Sequence, residues 1–140
     1  MYEEYCADYS FRSELNAEFV SLWDGWLGKD NLHKLNEVTP NEWGKFNSLL
    51  RLLSQHYTLL AISHETKKVT AGLDIEAYLS TYEKAMNKEA SQFFAFIIQE
   101  LSCAISEDWD YTYVIWHRNK GEIESLSPFI KASGLEHFRE

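Results

Sequence analysis

Residues 91–116 read SQFFAFIIQELSCAISEDWDYTYVIW, and how this stretch is assigned sets the fold class. Its two halves differ in kind. From Ser91 to about Ala104, the residues Phe93, Phe94, Phe96, Ile97, Ile98 and Leu101 leave no polar face. That reads as a helix apolar nearly all round, and so central to the core. Tyr111-Thr112-Tyr113-Val114-Ile115-Trp116 contains only β-branched and aromatic residues, which predicts a strand. A lone strand would leave its N–H and C=O groups unpaired. The expected partners are Tyr57–Ile62 and Lys68–Ala71.

Working outward, Thr39-Pro40-Asn41-Glu42 is a helix start: Thr39 caps, Pro40 suits the first turn, and Glu42 completes a capping box. Trp43, Phe46, Leu49, Leu50 and Leu53 then form a helical stripe. Tyr57–Ile62 reads either as an extension of that helix or as a strand. Ser10 or Ser13 can cap a helix to about Leu27, with Leu15, Phe19, Leu22, Trp23 and Trp26 on one side and Gly28 as its stop. A short helix follows over Asn31–Glu37, capped by Asp30. Asp74 opens another, with Ile75, Tyr78, Leu79, Tyr82 and Met86 inward. Ile123, Leu126, Phe129 and Ile130 belong to a last helix, interrupted at Ser127-Pro128 and ended by Gly134. The expectation is a single α+β domain over residues 1–140. It is predominantly helical, with a small sheet that includes a strand near 110–117. The expected core is Trp43, Phe46, Leu50, Leu53, Phe94, Ile97, Ile98 and Leu101 in mutual contact.

Composition bounds the function classes. Hydrophobic residues at 45% and charged residues at 25% are ordinary for a globular chain. Aromatics at 15% exceed what a core of 140 residues needs, so some rings belong at the surface. Cys6 and Cys103 form no CxxC pair and no disulfide framework. The chain opens Met-Tyr-Glu-Glu-Tyr, without a signal-peptide pattern, and Phe93–Ile98 is too short to span a bilayer. A cytoplasmic protein with reduced thiols is expected. The net charge is −9, and the one adjacent basic pair is Lys67-Lys68, so neither nucleic acid nor an anionic membrane is an expected partner.

The charge is unevenly placed. Residues 1–28 carry six acids and one base, residues 97–110 carry four acids and no base, and the rest balances. These two segments hold the whole imbalance, which reads either as acidic surface that keeps the protein soluble or as one acidic face formed where the two segments meet. Glu107-Asp108-Trp109-Asp110-Tyr111 packs three acids and two amphipathic rings into five residues. Rings supply buried anchors and acids steer a basic partner. Glu107, Asp108, Trp109 and Asp110 are therefore the expected contact residues. Tyr2-Glu3-Glu4-Tyr5 repeats the theme but reads as a frayed terminus.

Chemistry-bearing motifs are lacking: no Gly-rich phosphate loop, HExxH, EF-hand loop or GxSxG. His64-Glu65 is an adjacent pair whose side chains point apart. His117 reads as a polar strand end, and Cys103 as a small buried hydrophobe. Asp108 and Asp110 could share a face, as acid–base or cation-binding pairs do, but too few further ligands accompany them. No catalytic residue, cofactor or metal is expected.

In size, acidity, aromatic richness and lack of catalytic motif, the chain resembles the small acidic bacterial toxin-immunity proteins, including those of contact-dependent inhibition systems. The resemblance is one of type over the whole chain, with no motif matched. It implies a cytosolic inhibitor that forms a one-to-one complex with a cognate, often basic, toxin such as a nuclease. Two other classes compete with it. One is a helical self-associating or adaptor module, with an apolar rather than acidic contact surface. The other is an enzyme whose site is assembled from dispersed residues such as His64, Asp108 and His117.

Overall fold

A computed structural model describes residues 1–89 and 92–139. The stretch that opened the sequence analysis is a meander of strands, not a helix followed by a strand. β1 (Cys6–Ala7) and β2 (Ser10–Phe11) form a small hairpin; then come β3 (Asn16–Ser21), β4 (Leu59–Ser63), β5 (Lys68–Thr70), β6 (Ala95–Ile98), β7 (Cys103–Asp108), β8 (Thr112–His117) and β9 (Glu136–Phe138). The last seven make one antiparallel sheet in the order β5-β4-β6-β7-β8-β3-β9. Helices are α1 (Tyr2–Tyr5), α2 (Pro40–His56), α3 (Tyr82–Met86) and α4 (Lys120–Ala132). The α+β class holds, but a predominantly helical domain with a small sheet does not: the sheet is the frame on which everything else packs.

The expected helix over 91–104 fails because both faces of the sheet are covered. Phe96 and Ile98 point to the side of α2 and α4, while Ala95 and Ile97 point to the other. A strand buried on both faces is apolar without interruption, which is also how a buried helix reads. Ser91, where that helix was to open, lies outside the described residues. Gln99–Leu101 forms a 3₁₀ turn closed by Ser102 at φ 51, and Cys103 then returns antiparallel to Ile98. The expected helix from Ser10 or Ser13 to Leu27 is also replaced, by β3, which pairs Phe19 with Val114 and Val20 with Tyr113. β8 thus sits between β7 and β3. Its expected partners instead pair with each other, as β4 and β5.

α2 forms as its sequence dictates. Glu42 accepts hydrogen bonds from the Thr39 N–H at 2.9 Å and from the Thr39 hydroxyl, Pro40 takes the first turn, and Trp43, Phe46, Leu49, Leu50 and Leu53 are buried. The helix ends at His56, so Leu59–Ser63 is strand. Asn31–Glu37 lies inside a 3₁₀ helix, Lys29–Glu37, entered through Gly28 at φ 68 rather than capped by Asp30. The helix expected from Asp74 breaks in two. Asp74 caps a single 3₁₀ turn, Ile75–Ala77, Thr81 caps α3, and Tyr78 and Met86 are exposed. α4 runs through Pro128 without interruption; the bond Pro128 cannot make would end on Glu124, at an exposed position where its carbonyl can turn to water.

Trp43, Phe46, Leu50, Leu53, Phe94 and Ile98 share the core beneath α2 and α4, with Leu101 at its margin. Ile97 is a correction. It lies on the opposite face with Leu60 and Ala104, beneath Tyr2, Tyr5 and Cys6. The N-terminus is therefore not frayed. Phe11 stacks on Trp116 at 4.7 Å, and the Tyr2 hydroxyl pairs with His64 Nδ1 at 3.1 Å. Among the described residues no helix is long and apolar enough to cross a membrane.

Candidate functional site: an aromatic and acidic turn between two clefts

β7 and β8 are joined by Trp109, Asp110 and Tyr111, with Asp108 opposite Thr112 at the base. Asp110 and Tyr111 both adopt φ 57. Asp tolerates this left-handed region; a bulky Tyr adopts it only where its surroundings impose it. Here they do. The Tyr111 ring lies 6.2 Å from both Trp23 and Trp43, edge to face, its hydroxyl donates to Met86 Sδ at 3.2 Å, and its carbonyl accepts from the Ser21 hydroxyl at 2.9 Å. Burial, with Tyr82 beside it, pushes the Tyr111 hydroxyl up to about 12. Tyr111 is thus an inward anchor that holds Trp109 and Asp110 outward.

Of the four expected contact residues, three are presented. Asp108, Trp109 and Asp110 are exposed, Trp109 by 57% of its surface, with its ring edge-on to Phe93 at 4.7 Å. Asp108 Oδ1 accepts the Trp109 N–H at 2.8 Å. Glu107 is the exception. Strand alternation turns it to the helix-covered side of the sheet, where its side chain is only 6% exposed. Its carboxylate receives Lys88 Nζ at 3.0 Å on each oxygen and the Phe94 N–H at 3.2 Å. It is an internal brace, not a contact residue.

Two clefts flank the turn. One, of about 280 Å³, is walled by Trp23, Trp26, Leu32 and Trp109, with Asp108 and Asp110 on its rim. The other, of about 250 Å³, lies across the turn against Met86, Phe93 and Trp43. Seven large hydrophobic side chains are exposed among the described residues, and four of them, Trp26, Leu32, Met86 and Trp109, line these two clefts. Sequence reading missed Trp23, Trp26, Leu32 and Met86 because it placed three of them on inward helix faces and gave Leu32 no role. The signal was present in Trp23-Asp24-Gly25-Trp26, which mirrors Asp108-Trp109-Asp110 in composition.

The two acidic segments meet only in part. Asp24 lies in the recess that shares Trp23 and Trp26 with the first cleft. Glu100 is at the other end of β6 and β7, where it accepts the Thr58 N–H at 2.7 and 2.8 Å. Glu18 is 2% exposed. His137 Nε2 donates to its Oε1 at 2.7 Å, Arg139 Nε donates to the same oxygen at 3.2 Å, and His117 Nε2 stands 2.7 Å from Oε2. That last contact is off the line of a good hydrogen bond, and neither atom has a hydrogen-bond partner among the described residues. His117 is therefore not a plain polar strand end: it faces the buried Glu18 carboxylate, through which His137 and Arg139 tie β9 to β3.

The dispersed residues of an enzymatic reading stay dispersed. His64 packs on Tyr2 and Phe11. His117 and Asp108 stand at opposite ends of the β7–β8 pair and on opposite faces, roughly 16 Å apart along the strand. Among the described residues no three His, Cys, Asp or Glu side chains converge as metal ligands would. Comparison of the chain with protein-family models, with curated protein sequences and with solved structures returns no match.

Proposed function

We propose that the protein is an acidic inhibitor of the toxin-immunity type, which neutralises a basic protein, such as a nuclease toxin, by covering it in a direct complex. One observation carries the reading: exposed Trp26, Leu32, Met86 and Trp109 gather around a rigid turn bearing Asp108 and Asp110. Apolar patches rimmed by polar groups mark interaction sites, and interfaces are enriched in Trp and Met. Carboxylates beside such anchors favour a positively charged partner and speed its approach. A cytoplasmic location belongs to the same proposal.

Self-association is the second reading that the exposed apolar patch favours. A two-fold contact through this patch would bring two acidic rims together with no Lys or Arg among the described residues lining either cleft to offset them, which is unfavourable. The protein is therefore monomeric alone and heterodimeric with its partner. The test pairs the purified protein with the product of the reading frame directly upstream of its gene. A one-to-one complex that abolishes the partner's activity is expected. Absence of a complex, or a homodimer lost on Trp109→Ala, would overturn the proposal.

A further inference from the structure

Resting on that reading, we infer that the first cleft is the receptor for a single arginine side chain projecting from the partner. The cleft's size is the first argument. At about 280 Å³ it lies just below the range of drug-sized ligand sites and suits one long side chain. Its walls are the second. Trp23, Trp26 and Trp109 offer three indole rings, the strongest cation–π partners among side chains, and Leu32 offers an apolar bed for a methylene stem. Its rim is the third. Neither Asp108 nor Asp110 has a Lys, Arg or His within ion-pair distance among the described residues, whereas Glu14, Glu18, Glu76 and Glu107 do and Glu3 pairs with the N-terminal amine. Asp108 spends one oxygen on the Trp109 N–H and keeps the other.

Elsewhere Glu3, Glu14, Glu18, Glu76 and Glu107 have a cationic partner by ion pair, and Glu100 accepts the Thr58 N–H on both oxygens. Asp108 and Asp110, without an ion pair among the described residues, lie beside the indoles. A planar guanidinium stacks on an indole and also presents a fork of N–H donors to carboxylates; an ammonium does only the electrostatic part. The turn itself is held in a strained backbone by Tyr111, so the rim is set before the partner arrives. The remaining exposed rings and Met86 then cover the partner surface around the anchor.

The probe is N-acetyl-arginine amide, titrated into isotope-labelled protein while the indole Nε1–H resonances are followed. N-acetyl-citrulline amide, its neutral near-isostere, and N-acetyl-lysine amide are the controls. The expected result is saturable, salt-sensitive shifts of Trp23, Trp26 and Trp109 with the arginine probe, weaker shifts with lysine and none with citrulline. The Asp108→Asn, Asp110→Asn double variant should weaken arginine binding roughly tenfold. Equal shifts from citrulline, or shifts centred on Trp43 or Trp116, would overturn the cleft assignment. The two proposals fail separately. If the protein complex forms and depends on Asp108 while arginine amide binds no better than citrulline amide, the acidic face stands and the cleft falls. If the arginine probe binds in the cleft while no basic protein forms a complex, the inhibitor reading falls.

Discussion

Glu107 distinguishes an internal brace from a binding residue, and Glu107→Ala measures the difference. Its carboxylate holds Lys88 through two 3.0 Å contacts, with side-chain exposures of 12% for Lys88 and 6% for Glu107. Removing one member of a buried pair costs about 3–5 kcal/mol, because the other is left charged and unpaired. Lys88 has a long stem and some exposure, so its head can turn toward water, which favours the lower end. The Phe94 N–H also loses its acceptor, which adds about 1 kcal/mol. The sum is about 4 kcal/mol, or a melting temperature roughly 10–15 °C lower for a chain of this size. Urea denaturation of Glu107→Ala, Lys88→Met and the double variant Lys88→Met, Glu107→Ala measures it. The double variant should be more stable than either single one, with a coupling of at least about 2 kcal/mol. A loss under about 1 kcal/mol with no coupling would show that the pair is solvated, and would return Glu107 to the exposed face.

Other variants probe the frame. Glu18→Ala leaves His117, His137 and Arg139 facing one another; it should cost about 3 kcal/mol or more and release β9, seen as faster amide exchange at residues 136–138. Leu50→Ala and Ile97→Ala should each cost about 2–5 kcal/mol and add nearly independently, because they sit on opposite faces of the sheet; strong coupling between them in denaturation would contradict the two-sided core. Burial pushes the Cys6 thiol up to about 11 and the Cys103 thiol up to about 12. The unfolded chain releases these protons from about pH 9, while the folded chain retains them, so stability present below pH 9 should fall between about pH 9 and 11. Cys6→Ala, Cys103→Ala double substitution should flatten that alkaline slope in a pH series of melts, and an unchanged slope would refute the assignment.

What the sequence made legible follows from which signals have one meaning. Thr39-Pro40-Asn41-Glu42 and the stripe from Trp43 to Leu53 admit one reading, and α2 obeys it. The run Phe93–Ile98 admits two, because complete burial erases the alternation that marks a strand; only the covering of the second face by Tyr2, Tyr5 and Phe11 decides, and that is tertiary information. In β3 the alternation was hidden differently. Glu18 occupies an inward position, and the three side chains that surround its carboxylate, His117, His137 and Arg139, come from residues about a hundred or more positions away. At the site, composition pointed to 107–111, but only the register separates Glu107, facing in, from Asp108, facing out. The contribution of Trp23 and Trp26 required knowing that residues 22–28 are a loop after β3 rather than the end of a helix.

The central claim is that Asp108, Trp109 and Asp110 meet a basic protein partner, and association kinetics of single variants against that partner test it most directly. Wild-type association should slow as salt rises from low to physiological strength. Asp108→Asn and Asp110→Asn should lower the association rate, while Trp109→Ala should raise the dissociation rate at a cost of at least about 2 kcal/mol. Glu107→Gln, checked by melting, should associate like wild type. If folded Asp108, Trp109 and Asp110 variants bind with wild-type rates at every salt concentration, this turn is solvated surface and the account is wrong.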